Sequence, residues 1–137
     1  MEKAAFNLQE YCFTNIQLHL SDLDDENTLS LFFDPRGIFE EEKKLFKLIF
    51  EFNAVAEKSG SAIVEVTCEA DFQFREAISF EEIPSYFFSN SIAIVFPYVR
   101  AMVSTLTLQS NMKRPIILPT MNLSSLQDQL RSQVEIR

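Results

Sequence analysis

The chain has 137 residues, of which 47% are hydrophobic and 23% are charged, and its formal net charge is −8. This length suits one domain, residues 1–137, whose core needs neither disulfides nor a metal, and the composition excludes wholesale disorder. The acidic balance argues against nucleic acid as a partner, because phosphate binding requires clustered Lys and Arg.

The same composition bears on the cellular compartment. No secretory signal is recognisable, and the apolar runs are shorter than a membrane-spanning helix, so we expect a cytoplasmic protein without membrane insertion. The two cysteines, Cys12 and Cys68, are far apart in sequence, which favours two reduced and packed thiols. The single histidine, His19, cannot complete a zinc site with them.

The first predicted element is a long half-buried strand at residues 6–20. Apolar residues recur there mostly at steps of two, with polar residues between them. Tyr11 and Phe13 flank Cys12 and put aromatic side chains on the opposite face as well. Residues 21–27 are acidic but lack the glycine and distal glutamate of an EF-hand, so a solvated loop is favoured over a calcium loop.

Three more strands follow. Residues 28–33 form a short apolar strand, which the turn-forming residues 34–37 end. Residues 45–56 predict a central strand, and residues 57–60 a hairpin turn. The return strand at 61–74 alternates most regularly, with apolar residues at even positions and mainly polar or acidic ones at odd positions. Its acidic face could dock a basic partner or could simply be solvated.

The second half of the chain predicts helices. Ser79 with Glu82 fits a capping box for a short helix. An amphipathic helix follows, capped near residues 89–91 and ending after Leu108; Pro97 either kinks this helix or places its regular start near Phe96.

A second capping box, at Ser124, predicts a terminal helix of about three turns. Between the two helices, residues 116–118 form an apolar connector. The apolar stripe of the terminal helix consists of Leu123, Leu126, Leu130 and Val134. The order predicts an α+β domain: a four-stranded antiparallel sheet with a long helix and a C-terminal helix packed on one face.

Catalytic chemistry is missing from this pattern. Gly37 and Gly60 are the only glycines, so no glycine-rich phosphate loop exists, and His19 has no candidate nucleophile near it in sequence. We therefore predict a binding protein rather than an enzyme, with no cofactor and no metal.

One run of residues carries a family likeness. Phe96-Pro97-Tyr98 with Arg100, followed by a helix and the proline-containing connector 114–123, resembles the SecB export chaperones. The four strands before it look like the sheet of that family. The resemblance implies an ATP-independent holdase that binds unfolded preproteins in apolar grooves and passes them to the SecA motor. It also implies a homotetramer, a dimer of dimers with the main helices between two sheets.

The resemblance also assigns residues by position. Ile63 and Glu65 match the residues of the family that contact SecA. Each groove residue could instead belong to the core or to a subunit interface. Two alternatives stay open: a SecB-like chaperone of a toxin–antitoxin system, and a structural adaptor that uses its apolar stripe only to assemble. The client-groove candidates are Tyr98, Ile117, Met121, Leu123 and Leu126, and the oligomer-interface candidates are Val95, Val99, Met102, Val103 and Leu106.

Overall fold

A computed structural model describes residues 4–23, 28–120 and 122–137, without the side chain of Asp22. The strands are β1 (Phe6–Leu18), β2 (Leu29–Glu40), β3 (Leu45–Ala56), β4 (Ala62–Phe74) and β5 (Val134–Ile136). They form one sheet in the order β1-β4-β3-β2-β5, and all pairs are antiparallel except β2 with β5. The helices are α1 (Ser85–Gln109) and α2 (Leu126–Ser132), with short 3-10 turns at Leu20–Asp22 and Phe80–Glu82.

The centre of the sheet is the hairpin of β3 and β4, which the alternation of the sequence predicted. Even-numbered residues of both strands point to one face, where they pair as Phe46 with Phe72 and Phe52 with Val66. These even-numbered side chains are all buried except that of Ala62. The predicted turn at residues 57–60 is confirmed, since the N–H of Gly60 donates to the carbonyl of Ala56 over 2.8 Å.

Strand β2 corrects the prediction of a turn at residues 34–37. The strand continues through Pro35 and Gly37 to Glu40, in register with β3 throughout. Proline is tolerated because this strand lies near the edge of the sheet, where its missing N–H breaks no ladder bond to β3. At Gly37 a Cβ atom would lie 2.5 Å from Cζ of Phe46, so the glycine makes room for that buried ring.

The C-terminus also differs from the prediction. Helix α2 has only seven residues, and its N-cap is Ser125, which makes no side-chain cap bond, rather than the predicted Ser124. Val134 lies in strand β5 instead of in a helix. The N–H of Gly37 donates to the carbonyl of Gln133 over 3.1 Å, and the N–H of Arg137 donates to the carbonyl of Phe39 over 2.8 Å. These bonds to the edge of β2 replace the last predicted helical turn.

Helix α1 is continuous over 25 residues and begins at Ser85, four residues before the predicted caps. Pro97 lies inside it, so the predicted alternative of a regular start near Phe96 is wrong. The carbonyl that loses its bond to Pro97 belongs to Ala93, and both residues are exposed, so water can satisfy it. The predicted capping box of Ser79 and Glu82 is confirmed just upstream.

Length and composition alone would allow α1 to cross a membrane, so the expectation that every apolar run is too short is wrong for this helix. Its buried side packs against its own sheet instead. The ring of Phe87 lies 4.9 Å from those of Phe46 and Phe74, between centroids. Helix α2 covers the same region through the buried Leu130 and through Arg131, whose guanidinium lies 5.6 Å from the ring of Phe88. The predicted α+β fold with both helices on one face is confirmed, with β5 as an additional strand.

Candidate functional site

The predicted interface stripe of α1 faces the chain's own core. Val95, Val99 and Val103 are fully buried, while Met102 and Leu106 are partly buried and packed against the core. Sequence periodicity locates the apolar side of a helix but not its partner, and here the partner is the sheet. The stripe therefore leaves little surface for a second subunit.

A second stripe of α1 is exposed instead. Its members follow each other at steps of three and four along the helix, so they form one face. Tyr98 is 39% exposed, Ile94 38% and Leu108 53%. The exposed stripe consists of Ile94, Tyr98, Ala101, Thr105 and Leu108.

Strand β1 brings two aromatic rings to this exposed stripe. Tyr11 stacks on Tyr98 with 4.1 Å between ring centroids, and Phe13 lies edge-on to Tyr11. Together with residues of α1 they line a hollow of about 250 Å³. The sequence placed Tyr11 and Phe13 on the opposite face from the core; irregularities at Gln9 and Thr14 shift the register of β1 and turn both rings toward the helix.

The connector after α1 is anchored at two points. The buried hydroxyl of Thr107 donates to the carbonyl of Val103 over 2.9 Å and accepts the N–H of Ile116 over 3.0 Å. Further along, the guanidinium of Arg100 donates to Oγ1 of Thr120 over 3.0 Å. The arginine of the Phe-Pro-Tyr-x-Arg run thus ties the connector to the middle of the helix.

The predicted groove residues in and after the connector differ in how exposed they are. Ile117 is 68% exposed between the buried Ile116 and Leu118. Leu123 and Leu126 are partly buried against the core. Met121 lies outside the described residues.

A cavity of about 730 Å³ was not predicted from the sequence. Its walls come from the start of β2, the turn after β1 and the segment that follows α1. Of the described residues, none of the predicted groove candidates lines it. In the sequence, the apolar run at the start of β2 was the feature that could have indicated a cavity here. The lining residues are Leu20, Leu23, Thr28, Leu29, Leu31 and Asn111 to Ile116.

The other face of the sheet is acidic but partly neutralised. Nζ of Lys47 lies 3.2 Å from Oδ1 of Asp71 and 3.6 Å from Oε1 of Glu69. Partial burial lowers the pKa of Lys47, but the hydrogen bond and charge of Asp71, with those of Glu69, outweigh it and raise the pKa. Arg36 also forms an ion pair, with Glu51.

The two candidate SecA-docking residues, Ile63 and Glu65, lie at one end of this sheet. Glu65 is half-buried on the acidic face, opposite Gln17 and Asn53. Ile63 is fully buried, because the register between β3 and β4 shifts between Ala54 and Val55. Of the pair, only Glu65 has surface to offer a partner.

The two thiols differ in environment. Cys12 is exposed and Cys68 is buried. Burial raises the pKa of the Cys68 thiol to about 11, and the charges of Cys12 and Glu69 add to the shift. Within residues 4–23, 28–120 and 122–137, no group of three or more His, Cys, Asp or Glu side chains is placed to hold a metal ion.

Comparisons with known proteins bear on the fold more than on the function. No protein-family model matches the chain. A stretch of 37 residues is 51% identical to the uncharacterized protein MJ0357 of Methanocaldococcus jannaschii, and this match spans only 27% of the chain and 23% of that protein.

Solved structures give a broader match. The fold is similar to that of the Mycobacterium tuberculosis SecB-like chaperone Rv1957, solved in complex with a ChAD peptide from the Rv1956 HigA1 antitoxin. The TM-score is 0.67 at 18% identity, over 85% of this chain and 87% of that one. A protein of unknown function from Streptococcus agalactiae covers 85% of this chain and 98% of its own, but its TM-score of 0.38 at 11% identity supports no inference. The chain therefore has the SecB-like fold that its Phe-Pro-Tyr-x-Arg run predicted.

Proposed function

We propose that the protein is an ATP-independent chaperone, a holdase that binds unfolded polypeptides. The observation that carries the proposal is the SecB-like fold, shared over 85% of the chain with a chaperone. Exposed apolar surface supports it. Tyr98 and Tyr11 form a stacked pair at the surface, Ile117 projects from the connector, and the cavity beside β2 is large enough for several side chains. Such surfaces bind exposed apolar segments without requiring one sequence.

Light scattering tests the proposal. Citrate synthase is heated with and without the protein, in the absence of ATP, and we expect aggregation to be suppressed at a stoichiometric ratio. Tyr98→Ser should weaken suppression, because it removes the ring that stacks on Tyr11. Tyr86→Ser is the matched control, since Tyr86 is an exposed tyrosine of the same helix outside the hollow. No suppression by the wild-type protein would overturn the holdase.

Two classes of client are proposed. The resemblance to the SecB export chaperones favours preproteins that are passed to SecA. The neighbour Rv1957 is solved with an antitoxin peptide, which favours an antitoxin as the client. The two proposals separate in a binding assay: an export chaperone binds SecA, whereas an antitoxin chaperone needs only its client.

Glu65 provides the sharper test of the export proposal. Glu65 is the predicted SecA-docking residue that is partly exposed. Glu65→Lys reverses its charge and should lower the affinity for SecA. Glu81→Lys, which makes the same change at an exposed site outside the sheet, is the control. Equal affinities for the two variants would remove Glu65 from the docking site, and no binding by the wild type would leave the antitoxin-type client as the proposal.

We also propose a homotetramer located in the cytoplasm. Ile94 and Leu108 of the exposed stripe, which lie outside the hollow of Tyr11 and Tyr98, and the outer edge of β1 are the surfaces that support assembly, rather than the buried stripe around Val99. A structural adaptor would assemble in the same way and yet leave citrate synthase aggregation unchanged, so sedimentation together with light scattering separates it from a holdase.

A further inference from the structure

Helix α1 carries two fully buried hydroxyl groups, those of Ser91 and Thr107. A hydroxyl is costly to bury unless it is hydrogen-bonded, so each must have a partner. The hydroxyl of Ser91 donates to the carbonyl of Phe88 within the helix, over 3.0 Å. That of Thr107 also donates within the helix, but it accepts in addition the N–H of Ile116, which lies nine positions later in the chain. Thr107 therefore links α1 to the connector through its side chain.

The backbone of Thr107 holds the same segment at a second point. Its carbonyl accepts the N–H of Met112 over 3.2 Å, and the carbonyl of Leu108 accepts the N–H of Asn111 over 3.1 Å. With Asn111 in the left-handed conformation, at a φ of 57°, these two bonds form a Schellman motif, which ends the helix. Thr107 thus fixes Met112 through its carbonyl and Ile116 through its hydroxyl, and so brings the chain back beside the helix.

The bond to Ile116 matters because the connector alternates between two faces. Ile116 and Leu118 are buried, whereas Ile117 between them is 68% exposed. All three side chains are apolar and similar in size, so hydrophobicity alone does not decide which of them faces outward. In an extended segment a shift by one residue exchanges the two faces. A directional hydrogen bond to the N–H of Ile116 selects one of these registers, namely the one that exposes Ile117.

We propose that Thr107 is the positioning residue of the connector, and that its hydroxyl holds the register in which Ile117 is presented to a client. This inference rests on the proposed chaperone function, in which Ile117 contacts the client. Thr107 is fully buried, so it acts through Ile117 and does not touch the client itself. A connector without this bond presents Ile117 for only part of the time, and the affinity for a client falls with that fraction.

Cysteine reactivity tests the register directly. Ile116→Cys and Ile117→Cys are made separately in a Cys12→Ser background, which removes the exposed thiol and leaves Cys68 buried. The thiol at position 117 should react with a maleimide faster than the thiol at position 116. Thr107→Val has nearly the same shape and no hydroxyl, and should reduce the ratio of the two rates about fivefold, whereas Thr107→Ser should preserve it. The same ratio in Thr107→Val as with the native threonine would overturn the proposal.

Hydrogen exchange of the Ile116 amide, measured by NMR, gives an independent readout. In the wild type this amide should exchange at least about tenfold more slowly than in an unfolded peptide, and Thr107→Val should remove most of that protection. Ser91→Ala, which removes the other buried hydroxyl of α1, is the control and should leave the exchange of Ile116 unchanged. An unprotected Ile116 amide in the wild type would overturn the proposal whether or not the valine variant folds, and so would equal effects of Ser91→Ala and Thr107→Val.

Binding of an unfolded client shows whether Thr107 acts through Ile117. The probe is reduced and carboxymethylated α-lactalbumin. Thr107→Val should weaken its binding about fivefold and Thr107→Ser little. Ile117→Ser should weaken binding in the wild type but add little in the Thr107→Val variant, because residue 117 is already displaced there. Losses that simply multiply would show that the two residues act independently, and would overturn the proposal.

The outcomes separate this inference from the proposed function. If the wild type suppresses citrate synthase aggregation while the ratio of cysteine rates is the same with threonine and with valine, the positioning role fails and the holdase stands. If the wild type neither suppresses aggregation nor binds the unfolded client, the holdase fails, and with it the presentation of Ile117 to a client, even where the cysteine rates show that Thr107 sets the register.

Discussion

Gly37 shows how a single residue determines packing in this sheet. The ring of Phe46 occupies the place where a Cβ atom would stand, and that ring is fully buried among Phe39, Phe87 and Phe88. Because its neighbours hold the ring on several sides, it has little room to move.

Gly37→Ala should therefore lower the free energy of unfolding by about 1–3 kcal/mol, as overpacked cores do. Urea denaturation followed by circular dichroism measures the change. Gly60→Asn is the control, because Gly60 has open space around it and its positive φ of 74° is one that asparagine tolerates. A Gly37→Ala variant as stable as the wild type would show that the ring is mobile.

The two cysteines make a prediction about pH. Since burial raises the pKa of Cys68 to about 11, its reactive thiolate is scarce below that pH, whereas Cys12 is exposed. At about pH 8, Ellman's reagent should modify one thiol quickly and the second only after unfolding in urea. Cys12→Ser should abolish the fast reaction and Cys68→Ser should preserve it; two equally fast thiols in the native protein would contradict the assignment.

At the scale of elements, the C-terminus is held to β2 by side chains as well as by β5. Nε2 of Gln133 donates to Oδ1 of Asp34 over 3.0 Å and to the carbonyl of Pro35 over 2.7 Å. Gln129 also donates to Oδ1 of Asp34, over 3.2 Å. These bonds end α2 and direct the chain into the sheet.

Removing the side chain of Gln133 should loosen this junction. Two hydrogen bonds at about 1 kcal/mol each lead us to expect Gln133→Ala to destabilise the fold by about 1–2 kcal/mol, measured by urea denaturation. Gln109→Ala, an exposed glutamine at the end of α1, should change stability by less than about 0.5 kcal/mol. Similar effects of the two substitutions would show that the bonds to β2 contribute nothing net.

At the scale of the whole molecule, the exposed stripe of α1 bears on the proposed tetramer. A carboxylate placed in an apolar interface is costly to bury, so Ile94→Asp should lower the mass measured by analytical ultracentrifugation. Ala93→Asp adds the same charge at an exposed site about 100° around the helix from Ile94, outside the stripe, and should leave the mass unchanged. A tetramer that survives Ile94→Asp would place the interface elsewhere, and a wild-type monomer would overturn the tetramer itself.

The candidate site was predictable only in part. The run around Pro97 led to the SecB-like fold, and Tyr98 and Ile117 are exposed as a groove would require. The cavity beside β2 could not be anticipated, because its walls come from three segments that are distant in sequence. Val95 and Val99 were assigned to an interface because a helix pattern shows which side is apolar and not what covers it.

What the sequence by itself determined is the order and type of the main elements: alternation defined β3 and β4, and three-to-four spacing defined α1. Only the tertiary structure decided that β2 runs through Pro35, that the last turn of α2 becomes β5, and that Tyr11 turns toward Tyr98. The physical reason is common to all three. Periodicity records which side chains avoid water, whereas strand ends, edges and bulges depend on backbone partners that are distant in sequence.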